Sequence, residues 1–226
     1  MELTEAVSSR YSARAFLPRE VPEATVRRML DRAAQAPSGG NLQPWHVYAL
    51  GGDALRDLLR EVATQLPSNP RGEPAEYDVY PASLKEPYRT RRYRCGEDLY
   101  ASIEIPREDK LGRLRQFAKN LTCFGAPVCL FFAIDRTMGR NQWAHLGMFM
   151  QTVMLLAREE GLHTCAQEAW SAWHETVSRH LGLPEELMLY CGMALGYADE
   201  QAPINRWRTE RAPRDEWCTL RGFGTG

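Results

Sequence analysis

No apolar run in this sequence reaches the ~20 residues that a membrane-crossing helix needs. The amino-terminal MELTEAVSSR also lacks the basic-then-apolar pattern of a secretion signal. Both absences lead to the expectation of a cytoplasmic protein. Neither sign of charge dominates: 28 Lys and Arg against 29 Asp and Glu leave a formal net charge of −1, so no global field recruits nucleic acid or a membrane surface. Six cysteines (Cys95, Cys123, Cys129, Cys165, Cys191, Cys218) include no C-x-x-C pair, which argues against a zinc site or a redox dithiol. Most have apolar neighbours and read as buried, reduced thiols. His46, His145, His163, His174 and His180 are dispersed without metal-ligand spacing. Also missing are G-x-G-x-x-G after a strand, G-x-x-x-x-G-K-[ST], H-E-x-x-H and G-x-S-x-G, which argues against a dinucleotide-type Rossmann domain, a P-loop, a zinc peptidase and a hydrolase elbow.

What is present suits one large globular domain over residues 1–226, since 44% of the residues are hydrophobic. The chain is organised around Trp143–Gly161, WAHLGMFMQTVMLLAREEG. Between Leu146 and Ala157 only Gly147, Gln151 and Thr152 interrupt the apolar residues, so a helix here would be buried on most sides. Gly161 supplies its stop. One domain can wrap such a helix, or two copies of the chain can pack theirs together; the second arrangement is favoured.

Elsewhere, Glu2–Ser9 reads as a short helix. Pro22 opens another, with Val26, Met29, Leu30, Ala33 and Ala34 on its buried face and Pro37 at its end. A strand at His46–Leu50 and helices at Asp53–Leu66 and Asp109–Lys119 follow from their periodicity. The apolar runs Pro127–Asp135 and Met188–Ala198 suit central strands covered on both faces. Between them fall the long helix, a strand Leu162–Trp170, and a helix started by Ser171 and stopped by Gly182. Residues 67–106 are rich in proline, arginine and tyrosine. They read as an excursion over the core with internal ion pairs, because Glu86, Glu97 and Asp98 flank the arginines. The expected fold is α+β, a mixed central sheet wrapped by helices.

Three groups of residues carry candidate chemistry. In an extended Arg10-Tyr11-Ser12-Ala13-Arg14, residues 10, 12 and 14 face one way, and two guanidiniums with a hydroxyl can hold a phosphate. Taken alone, the pentapeptide reads as a solvated basic edge. In Ala36-Pro37-Ser38-Gly39-Gly40-Asn41-Leu42-Gln43-Pro44-Trp45, two glycines let backbone approach a flat ligand, while Ser38, Asn41 and Gln43 offer hydrogen bonds. These are also ordinary turn residues. The third group is Arg206, Arg208 and Arg211, which completes an anion site if it packs against the first.

Together these groups resemble the nitroreductase family of FMN-dependent oxidoreductases. The resemblance runs from Arg10 to about Pro213, through RYSARAF, APSGGNLQPW, GLHTCAQEAW and a final strand followed by R-x-R-x-x-R-x-P. The EPYRTRRY-to-IPRED excursion and the CGMALGYADEQAPINR ending are most similar to the nitrobenzene and nitroaromatic reductases. The resemblance implies an interlocked homodimer, with a tail at about 199–226 reaching the partner, and FMN and NAD(P)H as cofactors. It places Arg10, Tyr11 and Ser12 at the FMN phosphate and ribityl chain, Arg14 at the pyrimidine end, and Arg208 and Arg211 at the phosphate. Pro37, Ser38 and Asn41 come from the other subunit. Gln167, Glu168 and Ala169 face the reactive flavin edge, where Ala169 replaces the commoner glycine; Asn120 is the candidate for a further flavin contact, and Phe124 for a substrate contact. The implied activity is ping-pong reduction of nitroaromatics to hydroxylamines, with Arg14 and Glu168 supporting chemistry done by the flavin. Flavin, quinone or enone reduction, dehalogenation or flavin cleavage on the same fold, and a non-catalytic flavin-storing dimer, are the alternatives left open.

Overall fold

A computed structural model describes residues 1–223; the last three residues of the expected partner-reaching tail lie outside the described residues. Its centre is a four-stranded sheet of β1 (His46–Gly51), β2 (Val128–Asp135), β3 (His163–Gln167) and β4 (Leu187–Gly196) in the order β1-β2-β4-β3. All three pairings are antiparallel. Among the described residues parallel pairing enters only as an isolated bridge between Ser12 and Thr164.

The two apolar runs are the two central strands. Alternation sends Val128, Leu130, Phe132 and Ile134 of β2 to one face, against α2 (Glu23–Ala33) and α6 (Arg140–Glu159). Cys129 and Phe131 point to the other face, against α3 (Gly52–Gln65) and α7 (His174–Leu181). The sheet is therefore the middle of three layers.

Local chemistry explains where the helices stop. Gly161 takes φ 72°, and the N–H groups of Gly161 and Leu162 return to the carbonyls of Arg158 and Ala157, closing α6. Gly182 (φ 64°) closes α7 in the same way, with Leu183 N–H reaching Ser178 O.

Several boundaries differ from the periodicity reading. β3 ends at Gln167 rather than Trp170, because residues Glu168–Trp173 form a 3-10 turn that buries Trp170, Ser171 and Trp173. The following helix accordingly starts at His174, not Ser171. Its first turn is capped from a distance: the Glu73 carboxylate accepts from the N–H groups of Glu175 and Thr176. Ala34 is exposed, since α2 ends at Ala33 before its apolar face turns inward again. Within one chain α6 is buried along a single stripe of Leu146, Phe149, Met150, Val153 and Ala157. The opposite stripe of Ala144, Gly147, Met148 and Gln151 is uncovered.

The remaining helices are α1 (Leu3–Ser9), α4 (Tyr88–Ala101), α5 (Lys110–Ala118) and α8 (Pro203–Arg206). α4 lies within the excursion and buries no residue. It is held by charge, through Arg89 to Glu86, Glu97 to Arg113, Arg91 to Glu216 and Arg94 to Glu210. No helix of the described residues is long and apolar enough to cross a membrane.

Candidate functional site

β3 is an edge strand, and an edge strand presents unpaired backbone groups that something must cover. Here the amino-terminal segment does so. Ala13 N–H donates to Thr164 O at 3.0 Å, beside the Ser12–Thr164 bridge. Further along, Leu17 N–H reaches Tyr197 O and Asp199 N–H reaches Ala15 O. The segment thus runs between β3 and the chain leaving β4, which brings both ends of the polypeptide to one place.

Asn205, 2% exposed on α8, locks that arrangement. Its Oδ1 accepts from Arg14 N–H at 2.7 Å, and its Nδ2 donates to Ala15 O and Asp199 O, both at 2.8 Å. Sequence reasoning missed this residue. An asparagine after Ala202-Pro203-Ile204 carries no local pattern, because its partners come from the opposite end of the chain.

The first and third arginine groups do meet. Arg208 lies over the Tyr11 ring, and Tyr11 tilts against His163 at a centroid distance of 5.0 Å. Arg10 is half-buried near Arg211; burial first, and then the Arg211 charge, push its pKa below the ordinary arginine value. Neither guanidinium has a carboxylate partner among the described residues. Two like charges held close without a counter-charge are unfavourable in the empty protein and suit a phosphate dianion.

Below them Arg158 donates through Nη1 to Leu162 O (2.8 Å), and its Nε reaches Ser9 Oγ (3.2 Å). His163 Nδ1 faces the same guanidinium at 3.1 Å. Burial, Arg158 and Arg208 push the His163 pKa down to about 4, so the ring is neutral and accepts a hydrogen bond from Arg158.

A second cluster forms where β3 ends. Gln167 is 2% exposed, and its Nε2 donates to Asn120 O (2.7 Å) and Oδ1 (3.3 Å). Asn120 Nδ2 in turn donates to Phe117 O. Gln167 Oε1 is buried without a donor. A buried orphan acceptor is costly, and the imide N–H of a flavin ring is the type of donor it lacks. Glu168 follows, its carboxyl without a partner among the described residues and its pKa raised by desolvation. Ala169 lies in the adjoining 3-10 turn. Four groups separated in sequence, at residues 10–14, 120, 167–169 and 208–211, therefore line one edge of the sheet.

The 37–41 loop lies elsewhere in the same chain. Gly39 N–H donates to His145 Nδ1 at 3.4 Å, and Ser38 Oγ accepts from Gln43 N–H at 2.9 Å. Gly40, Asn41 and Gln43 have φ of 59°, 53° and 49°. His145 and Arg158 are on the same helix, so the loop and the Ser9–Arg10 end are separated by roughly 20 Å along its axis.

The nitroreductase family model matches residues 7–197. This chain belongs to the nitroreductase family. A 4-nitrobenzoate reductase of Pseudomonas putida is 35% identical to it over 96% of this chain and 94% of its own length. A nitrobenzene nitroreductase of Ectopseudomonas oleovorans is 34% identical over 96% of each. Among solved structures, the FMN and NADPH-dependent nitroreductase NfnB from sphigopyxis sp. strain HMH superposes with a TM-score of 0.95, at 44% identity over 99% of this chain and all of that one.

One candidate site residue of this nitroreductase is enclosed by its own chain. Phe124 was the candidate for substrate contact, yet it is 7% exposed and packs in the core with Ala13, Cys129 and Trp170. Its backbone φ of 53° and that of Cys123 (47°) put two non-glycine residues in the left-handed region just before Gly125. Its burial favours a packing role, anchoring the tight turn between Asn120 and β2.

Proposed function

We propose that this nitroreductase is an FMN-dependent NAD(P)H oxidoreductase that reduces nitroaromatics by two-electron steps to the hydroxylamine. The carrying observation is that the two ends of the chain meet at the Tyr11–Arg208 contact, with Arg10 and Arg211 beside it and neither paired with a carboxylate among the described residues. Names of relatives over nearly the full length, for nitrobenzene and 4-nitrobenzoate reduction, support the substrate class. The FMN and NADPH dependence named for the sphigopyxis protein supports the cofactors.

Arg10 and Arg211 hold the FMN phosphate, with Ser12 on the ribityl chain and the Tyr11–Arg208 stack closing that end. Arg14 faces the pyrimidine edge, where its fixed positive charge stabilises negative charge that develops during hydride transfer. Gln167, Glu168, Ala169 and Asn120 bound the other edge. Bound there, FMN would supply the redox chemistry, the capacity to accept and donate a hydride. The residues 67–106 form a lid over the open side of this single FMN-binding domain.

The site is completed by a second copy of the chain. Pro37, Ser38 and Asn41 sit too far along α6 to join the arginines of their own chain, and the uncovered stripe at Ala144, Gly147, Met148 and Gln151 offers the dimer contact. The tail from residue 199, fastened to its own chain by Asn205, Arg208, Glu210 and Glu216, also reaches the partner. The enzyme works in the cytoplasm.

Anaerobic titration tests the activity. The purified protein is yellow, NAD(P)H bleaches it, and nitrobenzene restores the colour. A colourless protein, or bleached protein that nitrobenzene leaves unchanged, overturns the reading.

A further inference from the structure

A cavity of about 430 Å³ opens where the lid meets the carboxyl-terminal tail, lined by Arg91, Glu210, Arg211, Ala212 and Trp217. The sites described above leave it unused, although Arg211 borders both it and Arg10. Trp217 is 69% exposed. Its Nε1 donates to Ala212 O at 3.3 Å, which ties one edge of the indole to the tail and leaves much of the ring uncovered. Arg91 reaches in from α4 and pairs with Glu216 at 2.5 Å, with side-chain exposures of 43% and 49%. Glu210 is engaged by Arg94 at 2.8 Å. Among the described residues Arg211 donates only to its own segment, through Nη1 to Thr209 and to Glu210 O.

An uncovered indole beside two guanidiniums is the chemistry that recognises a nucleobase carrying phosphate. The ring stacks on the base, and an arginine fork binds a phosphate dianion more strongly than it binds a solvated carboxylate. An exposed ion pair such as Arg91–Glu216 contributes little and is readily exchanged for that dianion.

We infer that this cavity receives the adenosine end of the reducing dinucleotide, with Trp217 stacking on the adenine and Arg91 reading the 2′-phosphate that distinguishes NADPH from NADH. This placement rests on the reading of the chain as a dinucleotide-driven FMN enzyme and adds a coenzyme preference to it. Glu216 becomes the competitor for Arg91: it neutralises the guanidinium when the cavity is empty and yields it when a 2′-phosphate arrives.

Calorimetric titration of the FMN-loaded protein with adenosine 2′,5′-bisphosphate and with 5′-AMP tests the assignment. The wild type binds the bisphosphate about tenfold more tightly, the size of one charge-assisted contact. Arg91→Gln removes that difference. Trp217→Leu weakens both nucleotides alike, because both share the adenine. Glu216→Gln tightens the bisphosphate alone, an effect opposite to that of Arg91→Gln and one that mere loosening of the lid would not produce. Equal affinities in the wild type, or a preference that survives Arg91→Gln, would overturn the subsite. Those outcomes leave a yellow protein that dinucleotide still bleaches, whereas failure of the enzyme reading leaves a protein without flavin or one that no dinucleotide reduces.

Discussion

Arg208 holds its guanidinium 3.7 Å above the centroid of the Tyr11 ring, joining the carboxyl-terminal tail to the amino-terminal segment. Beside this contact lie Arg10 and Arg211, and the proposed phosphate site depends on the two ends being clamped together. Arg10→Ala and Arg211→Ala should each weaken FMN binding by ten- to a hundredfold, from the loss of about 1.5–3 kcal/mol of charge-assisted bonding. Riboflavin, which has no phosphate, should bind the variants and the wild type alike. Fluorescence quenching of the two flavins provides the comparison, and equal losses for both would show that the arginines do not read the phosphate.

Asn205 is the clamp's main polar fastener. Asn205→Ala strands Arg14 N–H and the carbonyls of Ala15 and Asp199. About 1–3 kcal/mol of stability should be lost, seen as a lower urea midpoint at unchanged slope. Asn205→Asp keeps the acceptor for Arg14 but cannot donate, so it should fall below the wild type as well.

His163 makes stability depend on acid. An unfolded histidine protonates with a pKa near the ordinary 6.5, whereas the folded ring resists until about pH 4. Its neutral, buried state is therefore fully accommodated above pH 6.5, and stability is lost as pH falls from there toward 4. The loss amounts to about 3 kcal/mol. Replacing the ring with a non-titrating Gln should flatten this part of the curve in denaturant titrations across the acid range. A wild-type curve with no slope there would contradict the buried, neutral assignment.

Arg14 should tune the flavin electrostatically. Removing its charge as Arg14→Ala disfavours the reduced, more negative ring and should lower the two-electron midpoint potential, on the order of 30 mV for each ~1.4 kcal/mol lost. Spectroelectrochemistry measures this directly; an unchanged potential would remove Arg14 from that role.

The uncovered stripe of α6 predicts an assembly phenotype. A Cβ placed on Gly147 meets nothing within the single chain, and Met148 is 43% exposed. Met148→Arg should therefore leave the fold of each chain intact while shifting the protein from dimer to monomer in sedimentation at micromolar concentration. FMN should be lost with the partner's Ser38 loop. A wild type that stays folded and monomeric at nanomolar dilution would refute the obligate dimer.

Much of the architecture was legible before any coordinates because its causes are local. The apolar runs Pro127–Asp135 and Met188–Ala198 read as central strands because a short continuous apolar run suits a strand covered on both faces, and they are β2 and β4. Gly161 and Gly182 marked helix ends because left-handed backbone is inexpensive only for glycine. The candidate arginines were visible as residue types, and the family motifs supplied their order. What the chain alone could not reveal depends on which distant groups meet. β3 stops at Gln167 because burying Trp170 and Trp173 favours a turn that no periodicity announces. Phe124 became core because of what surrounds it, and α6 kept one face open because one chain has only enough core to cover the other. Whether the segments carrying Arg10 and Arg211 lie apart or side by side was decided by hydrogen bonds at Ala13, Arg14 and Asn205. Local propensity writes the elements; only long-range contact, whose partners are invisible along the chain, places two like charges side by side.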